Sequence, residues 1–271
     1  MNRDVIKYIA MFTMLLNHIA NIFLDPGTLL FTVLVDIGYF TAPVMCYFLV
    51  EGYHYTRSKK KYARRLAVFA LISEVPFCLA FSEVYTGEKI ISFCGFNMIF
   101  TLFLCFCILL AMDGIKNDLL QIFAVASLFI LSLFSDWALV APLFTVLFAR
   151  AGRDKQRIRN AYLIGAGLFA LMNFSPVTDL PGILLGFVYA LMSAVGILAA
   201  GAVIVRLYNG KRMERGKTFS KWFFYWFYPA HLLVLGIIRL MKLRFEMTKD
   251  EKSEKNIDGL ENMYSVCVSL S

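Results

Sequence analysis

The chain has 271 residues, of which 59% are hydrophobic, and 27 lysines and arginines against 19 acidic residues give a formal net charge of +8. Soluble domains are about 45–50% apolar, and the excess here lies in blocks about as long as a membrane-spanning helix, which excludes a water-soluble core. The basic residues fall in short loops between these blocks, so the charge indicates a lipid bilayer as partner and not nucleic acid.

The apolar blocks predict an all-α, polytopic transmembrane bundle of about nine spans in the cell membrane. Three basic loops alternate with loops that hold one lysine between them, which places the N-terminus and the basic loops in the cytoplasm. Residues 1–241 form the predicted membrane domain, and the mixed charges of 242–271 are typical of a disordered tail. The predicted spans are 5–24, 29–50, 66–81, 93–112, 119–134, 137–148, 161–174, 182–207 and 222–241.

The first predicted span carries polar side chains inside an apolar helix. Lys7 and His18 are eleven residues apart, which puts them on one helix face, roughly 16 Å apart along the axis. An ionisable group at membrane depth indicates a functional site, and an imidazole is suited to act as a general base. The alternative is interhelical hydrogen bonding by His18, Asn17 and Asn21, with Asn21 one turn from His18 and within its reach.

The end of the second span leads into a dense set of cations. Glu51 and His54 are three residues apart and are expected to pair. Arg57, Arg64 and Arg65 are suited to hold the phosphates of a nucleotide-like cofactor, the alternative being topology setting and contact with lipid headgroups. No second Glu-x-x-His and no His-x3-His pattern occurs in the sequence, so no metal site is predicted.

Polar residues also occur in the third and fourth predicted spans. Glu74 lies next to a kink expected at Pro76, where a buried carboxylate is either neutral or paired, and it is a candidate for catalysis or for an ion pair. Asn97 lies near the outer end of the fourth span and is a candidate substrate contact. Asp136, in the short turn "SDW", is predicted to be a helix N-cap.

The last predicted span contains the stretch "FYWFYPAHLLVL". Tyr225, Tyr228 and His231 are spaced by three residues and therefore lie along one side of the helix, with Lys221 at its start. An interfacial aromatic belt would explain the tyrosines, but His231 lies too deep in the span for that interpretation.

These stretches together resemble the TraX family. The resemblance rests on "LNH", "FLVEGYHYTR", "YARRLAVFALISEVPF", "YNGKR" and "FYWFYPAHLLVL", and it runs with gaps from about residue 5 to 240. TraX proteins are associated with N-terminal acetylation of conjugative pilin, and they are similar to a wider class of transmembrane acyltransferases. That class commonly has Arg where Lys7 stands here, and Tyr39 occupies a position that is Arg in the usual TraX second span.

The resemblance implies an acetyltransferase that moves an acetyl group from cytoplasmic acetyl-CoA to an amine or hydroxyl acceptor, with pilin as the acceptor associated with the family. The candidate catalytic residues are His18, His231 and Glu74. The candidate residues for binding acetyl-CoA are Lys7, Glu51, His54, Arg57, Arg64, Arg65 and Lys221. The candidates for orienting the reactants are Asn17, Asn21, Asn97, Tyr225 and Tyr228.

Two other functions remain open from the residues alone. A proton-coupled small-molecule transporter would use the histidines and Glu74 as a proton relay, but the sequence has no internal repeat of the kind transporters show. A non-catalytic membrane component of a conjugation or secretion assembly would not require three histidines placed within the family-like stretches.

Overall fold

The computed structural model describes residues 1–174, 180–214 and 216–269, with side chains described as far as Lys249 except at 180, 181 and 217. Within this part of the chain the backbone forms ten α-helices, and a π-helical turn, Val203–Leu207, extends α9. The helices are α1 Arg3–Phe23, α2 Leu29–Gly38, α3 Thr41–Tyr55, α4 Lys59–Thr86, α5 Met98–Gly114, α6 Asp118–Ser132, α7 Val140–Ala151, α8 Lys155–Met172, α9 Leu180–Ala202 and α10 Lys217–Ser269.

Five helical segments in the described residues are long and apolar enough to cross a membrane, while α5, α6 and α7 are apolar but shorter. The predicted all-α transmembrane bundle is therefore confirmed. The count of nine spans and the cytoplasmic position of the N-terminus stay predictions. The predicted spans 161–174 and 182–207 leave 175–181 as a loop, and residues 175–179 of it lie outside the described residues. The five segments are Arg3–Phe23, Leu29–Tyr55, Lys59–Thr86, Gly182–Leu207 and Thr218–Lys249.

Helices begin and end where the sequence supplies capping residues. The side chains of Asn2, Ser58 and Asn117 each accept a hydrogen bond from a backbone N–H in the first turn of α1, α4 and α6. Such a cap contributes about 1 kcal/mol because it satisfies an N–H that has no partner within the helix. α4 ends at Gly87, whose φ of 71° is the left-handed conformation that glycine adopts without strain.

The second predicted span is interrupted at Tyr39 and Phe40, between α2 and α3. The backbone N–H groups of both residues bond to carbonyls three residues back, at 3.2 Å each, and Pro43 has no N–H to offer the carbonyl of Tyr39. α9 packs directly against this break, since a Cβ on Gly196 would lie 2.3 Å from the carbonyl oxygen of Asp36. The interruption is thus a packing site for another helix backbone.

α10 continues as a helix to Ser269, through residues where the composition predicts disorder. Lys242 and Glu246 form an i,i+4 pair at 3.9 Å in the part of this segment whose side chains are described, which is typical of a solvent-exposed helix. No break in the helix marks the boundary near 241, and the division into a membrane domain and a tail stays a prediction.

Packing of α10 along α4 fixes the height of α10 in the bundle. The buried Arg239 donates from Nε to the carbonyl oxygen of Leu79 at 3.0 Å and from its guanidinium to Glu83 at 3.2 Å. Gly236, one turn earlier, lies so close to Leu79 that a Cβ would come within 2.7 Å of its Cγ. These contacts hold the segment that carries His231 at a defined depth next to α4.

We expect Gly196→Ala to lower the apparent unfolding temperature of the detergent-solubilised protein by about 3–10 °C, because the added Cβ overlaps the backbone at the α2–α3 break. Gly167→Ala is the matched control, since it also adds one methyl group to a helix but meets nothing within 4 Å. Equal unfolding temperatures for the two variants would show that α9 does not pack on the break as described.

Candidate functional site

Two buried histidines from opposite ends of the sequence meet in the bundle. His18 of α1 is 7% exposed and His231 of α10 is 8% exposed. The Nδ1 atom of His18 lies 2.9 Å from the Nε2 atom of His231, and the two ring planes are within 10° of each other. Two residues predicted to be catalytic therefore form one hydrogen-bonded pair.

The partners of the two rings assign their protons. The Nδ1 atom of His231 lies 2.7 Å from the backbone carbonyl oxygen of Phe227, and a carbonyl oxygen only accepts, so this nitrogen carries hydrogen. In a neutral ring the Nε2 atom of His231 then has a lone pair, which accepts from the Nδ1–H of His18. The Nε2 atom of His18 is consequently unprotonated, and His18 is the ring with a free basic nitrogen.

Tyr228 lies beside this pair, and its hydroxyl accepts a hydrogen bond while its own hydrogen is available to donate one. Its ring centroid is 6.4 Å from that of His18, and its oxygen accepts a hydrogen bond of 3.2 Å from the backbone N–H of Met98 at the start of α5. Because the N–H donates, the phenol keeps its own hydrogen for another acceptor. Tyr228 is thus placed to donate a hydrogen bond to a carbonyl oxygen near His18.

A cavity of about 400 Å³ opens between the starts of α1, α4 and α10 and the end of α3. Among the described residues that line it, six cationic side chains lie at its mouth, and four methionines together with tyrosines line its interior. Such a cavity suits an elongated anion with an apolar end. The cations are Arg3, Lys7, Arg57, Arg65, Arg212 and Lys221, and the methionines are Met11, Met14, Met45 and Met98.

Asp4 is the one carboxylate among the described residues that line this cationic cavity. It is 2% exposed, and its two oxygens accept from the backbone N–H of Met213 at 2.8 Å and from the hydroxyl of Ser220 at 2.7 Å. Arg212 directly precedes the first donor and Lys221 directly follows the second. Asp4 therefore holds in place the segment that brings two cations to the mouth.

A second cavity, of about 160 Å³, adjoins the cationic cavity and contains His18. The two share Met14, Thr41, Met98 and Tyr228 in their linings. His18 and Tyr228 therefore face the space that lies just beyond the inner end of the cationic cavity.

A third cavity, of about 690 Å³, adjoins the second cavity at Tyr39, Tyr85, Asp136 and Trp137. Arg65 near the start of α4 lines the cationic cavity, and Tyr85 lies twenty residues further along the same helix, a rise of about 30 Å. The cavities thus form a series that runs between the two ends of the bundle, with His18 between them.

Asp136 is not the helix N-cap that the sequence predicts. The N-cap of α7 is Leu139, and it makes no side-chain cap hydrogen bond. Trp137 and Leu139 both have positive φ, at 57° and 59°, and such a conformation is strained for residues other than glycine. The turn instead directs Asp136 towards the second and third cavities, where burial raises its pKa to about 6.

Glu74 and Asn97 hold a helix end and do not line any of the three cavities. The Asn97 side chain caps α5, accepting from the backbone N–H of Ile99 at 3.0 Å and donating to Glu74 at 2.6 Å and to the carbonyl of Ala70 at 2.8 Å. Both side chains position the α5 N-terminus that bonds Tyr228, and the catalytic role of Glu74 and the substrate contact of Asn97 stay predictions.

The predicted pairing of Glu51 with His54 does not form. Glu51 pairs with Arg3 at 3.5 Å and accepts a hydrogen bond from Tyr208 at 2.7 Å. His54 and Arg64 are exposed, and neither lines the cationic cavity. These three predicted cofactor contacts therefore do not lie at the mouth of the cationic cavity. Glu51 nevertheless fixes the side chain of Arg3, which does lie there.

The two asparagines of α1 line the second cavity, and their side chains hydrogen-bond to groups other than the His18 ring. Asn17 donates to the backbone carbonyl of Val35 at 3.0 Å, and Asn21 donates to the Asn17 carbonyl at 2.8 Å. The expected hydrogen bond of Asn21 with His18 is absent because the Asn21 amide donates to Asn17, one helical turn away. Lys7, Arg57, Arg65, Lys221 and Tyr225 line the cationic cavity, and their roles in binding or orienting substrate stay predictions.

Arg3, Asp4 and Arg212 belong to the site but were missed by the sequence reasoning. Arg3 lies one helical turn before Lys7, so the shared face was a usable signal. Arg212 is the last residue of the family-like stretch "YNGKR", and its position in that stretch was the available signal. Asp4 gives no sequence signal, since its partners are more than two hundred residues away.

Comparison with known proteins identifies similar chains over the region that contains these cavities. A family model described as TraX protein matches residues 2–239. The probable fimbrial assembly protein FimC, serogroup H1, of Dichelobacter nodosus is 31% identical over 235 residues, which cover 85% of this chain and 92% of that protein. No solved structure matches this chain.

We expect Asp4→Ala to release the segment between α9 and α10, because Met213 and Ser220 lose their acceptor. Hydrogen bonds to a charged group contribute about 1.5–3 kcal/mol, so trypsin should cut at Lys211 and Arg212 roughly tenfold faster, as quantified by mass spectrometry of the fragments. Asp118→Ala, which removes an exposed acid from α6, is the control. Unchanged cleavage in Asp4→Ala would refute the positioning role.

Proposed function

The chain belongs to the TraX family, and from this premise we propose that it is a membrane-embedded acetyltransferase. It moves an acetyl group from acetyl-CoA to an amine or hydroxyl acceptor, with a pilin N-terminus as one candidate. The observation that carries the proposal is the free Nε2 of His18, held by His231 just beyond the inner end of a cation-lined cavity. Such a nitrogen is suited to take the proton of a nucleophile.

The cationic cavity fits acetyl-CoA in both charge and polarity. Arg3, Arg57, Arg65, Arg212 and Lys221 at the mouth would hold its phosphates. The methionine-lined interior offers an apolar, adaptable surface for the uncharged arm that leads towards Tyr228. Bound acetyl-CoA supplies an acetyl group activated as a thioester.

The side chains around His18 can perform acyl transfer without further groups. The Nε2 of His18 takes the proton of the acceptor as its nitrogen or oxygen attacks the acetyl carbonyl. His231 keeps the ring in the required orientation and tautomer through the Nδ1 hydrogen bond. Tyr228 donates to the carbonyl oxygen as it becomes negative, and His18 returns the proton to the departing thiolate, so the ring ends in its starting state.

The series of cavities supports separate routes for the two substrates. Acetyl-CoA would occupy the end that carries the cations, which the positive-inside rule assigns to the cytoplasm. The acceptor would approach His18 through the second and third cavities from the other end. The acetyl group then needs to cross only the short space beside His18 and Tyr228.

A second candidate is a non-enzymatic role in pilus or fimbrial assembly, with which the family is associated. The name of the Dichelobacter nodosus relative, a probable fimbrial assembly protein, favours it. In that case the cavities would have a structural or ligand-binding role, and variants of His18 would still assemble fimbriae.

We expect His18→Ala to lower acetyl transfer by about 10²–10⁴-fold, because the general base is lost. The measurement is transfer of radiolabel from acetyl-CoA to components of membranes that contain the purified, reconstituted protein. His54→Ala, which alters an exposed histidine outside the cavities, is expected to retain normal activity. A folded His18→Ala protein with the normal rate would refute the proposal.

The orienting role of His231 predicts a graded response in the same assay. His231→Gln retains an oxygen that accepts from the Nδ1–H of His18, so it should keep more activity than His231→Leu. At position 18 itself, Gln and Leu should be equally inactive because neither supplies a basic nitrogen. Equal loss in both His231 variants would contradict this division of roles.

We expect Arg65→Ala to raise the KM for acetyl-CoA about tenfold with little change in kcat, since a charge-assisted hydrogen bond to phosphate contributes roughly 1.5–3 kcal/mol. Arg64→Ala is a closely matched control, because it removes the neighbouring arginine, which is exposed and does not line the cavity. An equal rise in KM for both variants would point to the general surface charge instead of the cavity.

A further inference from the structure

The third cavity has an aromatic lining around Asp136, the one charged residue among the described residues that line it. Trp137 stacks on Phe169 with ring centroids 5.3 Å apart, and Tyr39 packs edge-on against both, at 5.9 Å and 4.8 Å. Tyr85 adds a further ring where this cavity meets the second cavity. Asp136 lies at that junction.

Asp136 has no cation to balance it in the part of the chain whose side chains are described. No lysine or arginine among the described residues lines the second or third cavity, and no described side chain forms a salt bridge with this carboxylate. The six cations of the cationic cavity lie at the other end of the bundle. A carboxylate withdrawn from water without an opposite charge nearby is unfavourable, so a cationic ligand would stabilise it.

We propose that Asp136, Tyr39, Tyr85 and Trp137 form a binding site for an organic cation, an ammonium group carried on an apolar body. The carboxylate supplies the charge, the ring faces attract the cation, and the aromatic walls of the third cavity take the apolar body. An anion would be repelled by the same carboxylate, and a neutral hydroxyl would leave its charge unbalanced.

The site lies next to the space that contains His18, since Asp136 and His18 line the same second cavity. On the proposed function, and only on it, the site is where an acceptor amine docks before it reaches His18. The binding of a cation does not require that function, so the two can be tested separately.

Cys94 offers a readout of occupancy that is independent of acetyl transfer. It is a free, half-buried thiol in the lining of the third cavity. In a Cys107→Ser, Cys267→Ser background, its alkylation by a maleimide is measured at pH 8 by peptide mass spectrometry. The probe is hexyltrimethylammonium, which cannot be acetylated, compared with hexanol and hexanoate at equal concentration.

We expect hexyltrimethylammonium to slow alkylation of Cys94 about fivefold or more, and hexanol and hexanoate to have little effect. Asp136→Asn should remove the protection, and Asp136→Glu, which keeps the charge, should retain it at least in part. His18→Ala should be protected like the wild-type protein, because it alters the proposed chemistry and not the cation site.

Equal protection by hexanol would reduce the site to an apolar cleft and overturn the proposal. Undiminished protection in Asp136→Asn would overturn it as well. If Asp136→Asn changes the alkylation rate of Cys94 even without a probe, the test passes to Asp136→Glu. Absence of protection in an Asp136→Glu protein whose rate without a probe equals that of the wild type would also overturn the proposal. Absence of acetyl transfer by the wild-type protein, with protection of Cys94 intact, would instead count against the proposed function alone.

Discussion

The site depends on one hydrogen bond between two imidazoles in the interior of the bundle. His18 and His231 are 213 positions apart in the chain, and their alignment requires α1 and α10 to be held at matching depths. The carbonyl of Phe227 then fixes the tautomer of His231, and through it that of His18. The Phe227 carbonyl and the two imidazoles form a hydrogen-bonded row whose basic nitrogen lies on His18 of α1. The backbone of α10 thus sets the direction of this row.

Several polar residues that resemble catalytic groups support this arrangement. Glu74 and Asn97 hold the start of α5, whose Met98 N–H bonds the hydroxyl of Tyr228. A helix that begins inside a bundle has N–H groups without partners, and these must be satisfied locally because water is absent. A carboxylate at membrane depth therefore indicates either chemistry or a helix end, and only the contacts distinguish the two.

The sequence predicted the parts of this protein that depend on local pattern. Apolar blocks defined the long helices, and His18 and His231 stood out as ionisable residues in such blocks. A charged residue near the end of an apolar block can be recognised from the sequence, and Lys7, Arg57, Arg65 and Lys221 were found in this way. The roles of Asp4 and Asp136 were not predictable, since the first depends on partners across the whole chain and the second on a strained turn. Glu51 pairs with Arg3 and not with the predicted His54 for the same reason, because Arg3 is distant in the sequence.

The hydrogen-bonded row that begins at His18 ends at the backbone carbonyl of Phe227. A carbonyl of this kind is far too weak a base to take up a proton and pass it on, so the row is closed at that end. A proton acquired by His18 therefore stays within the histidine pair until it leaves through the Nε2 of His18, which in the proposed reaction passes it to the departing thiolate. The pair thus has no second exit for protons, and every exchange with the cavities on either side passes through that one nitrogen atom.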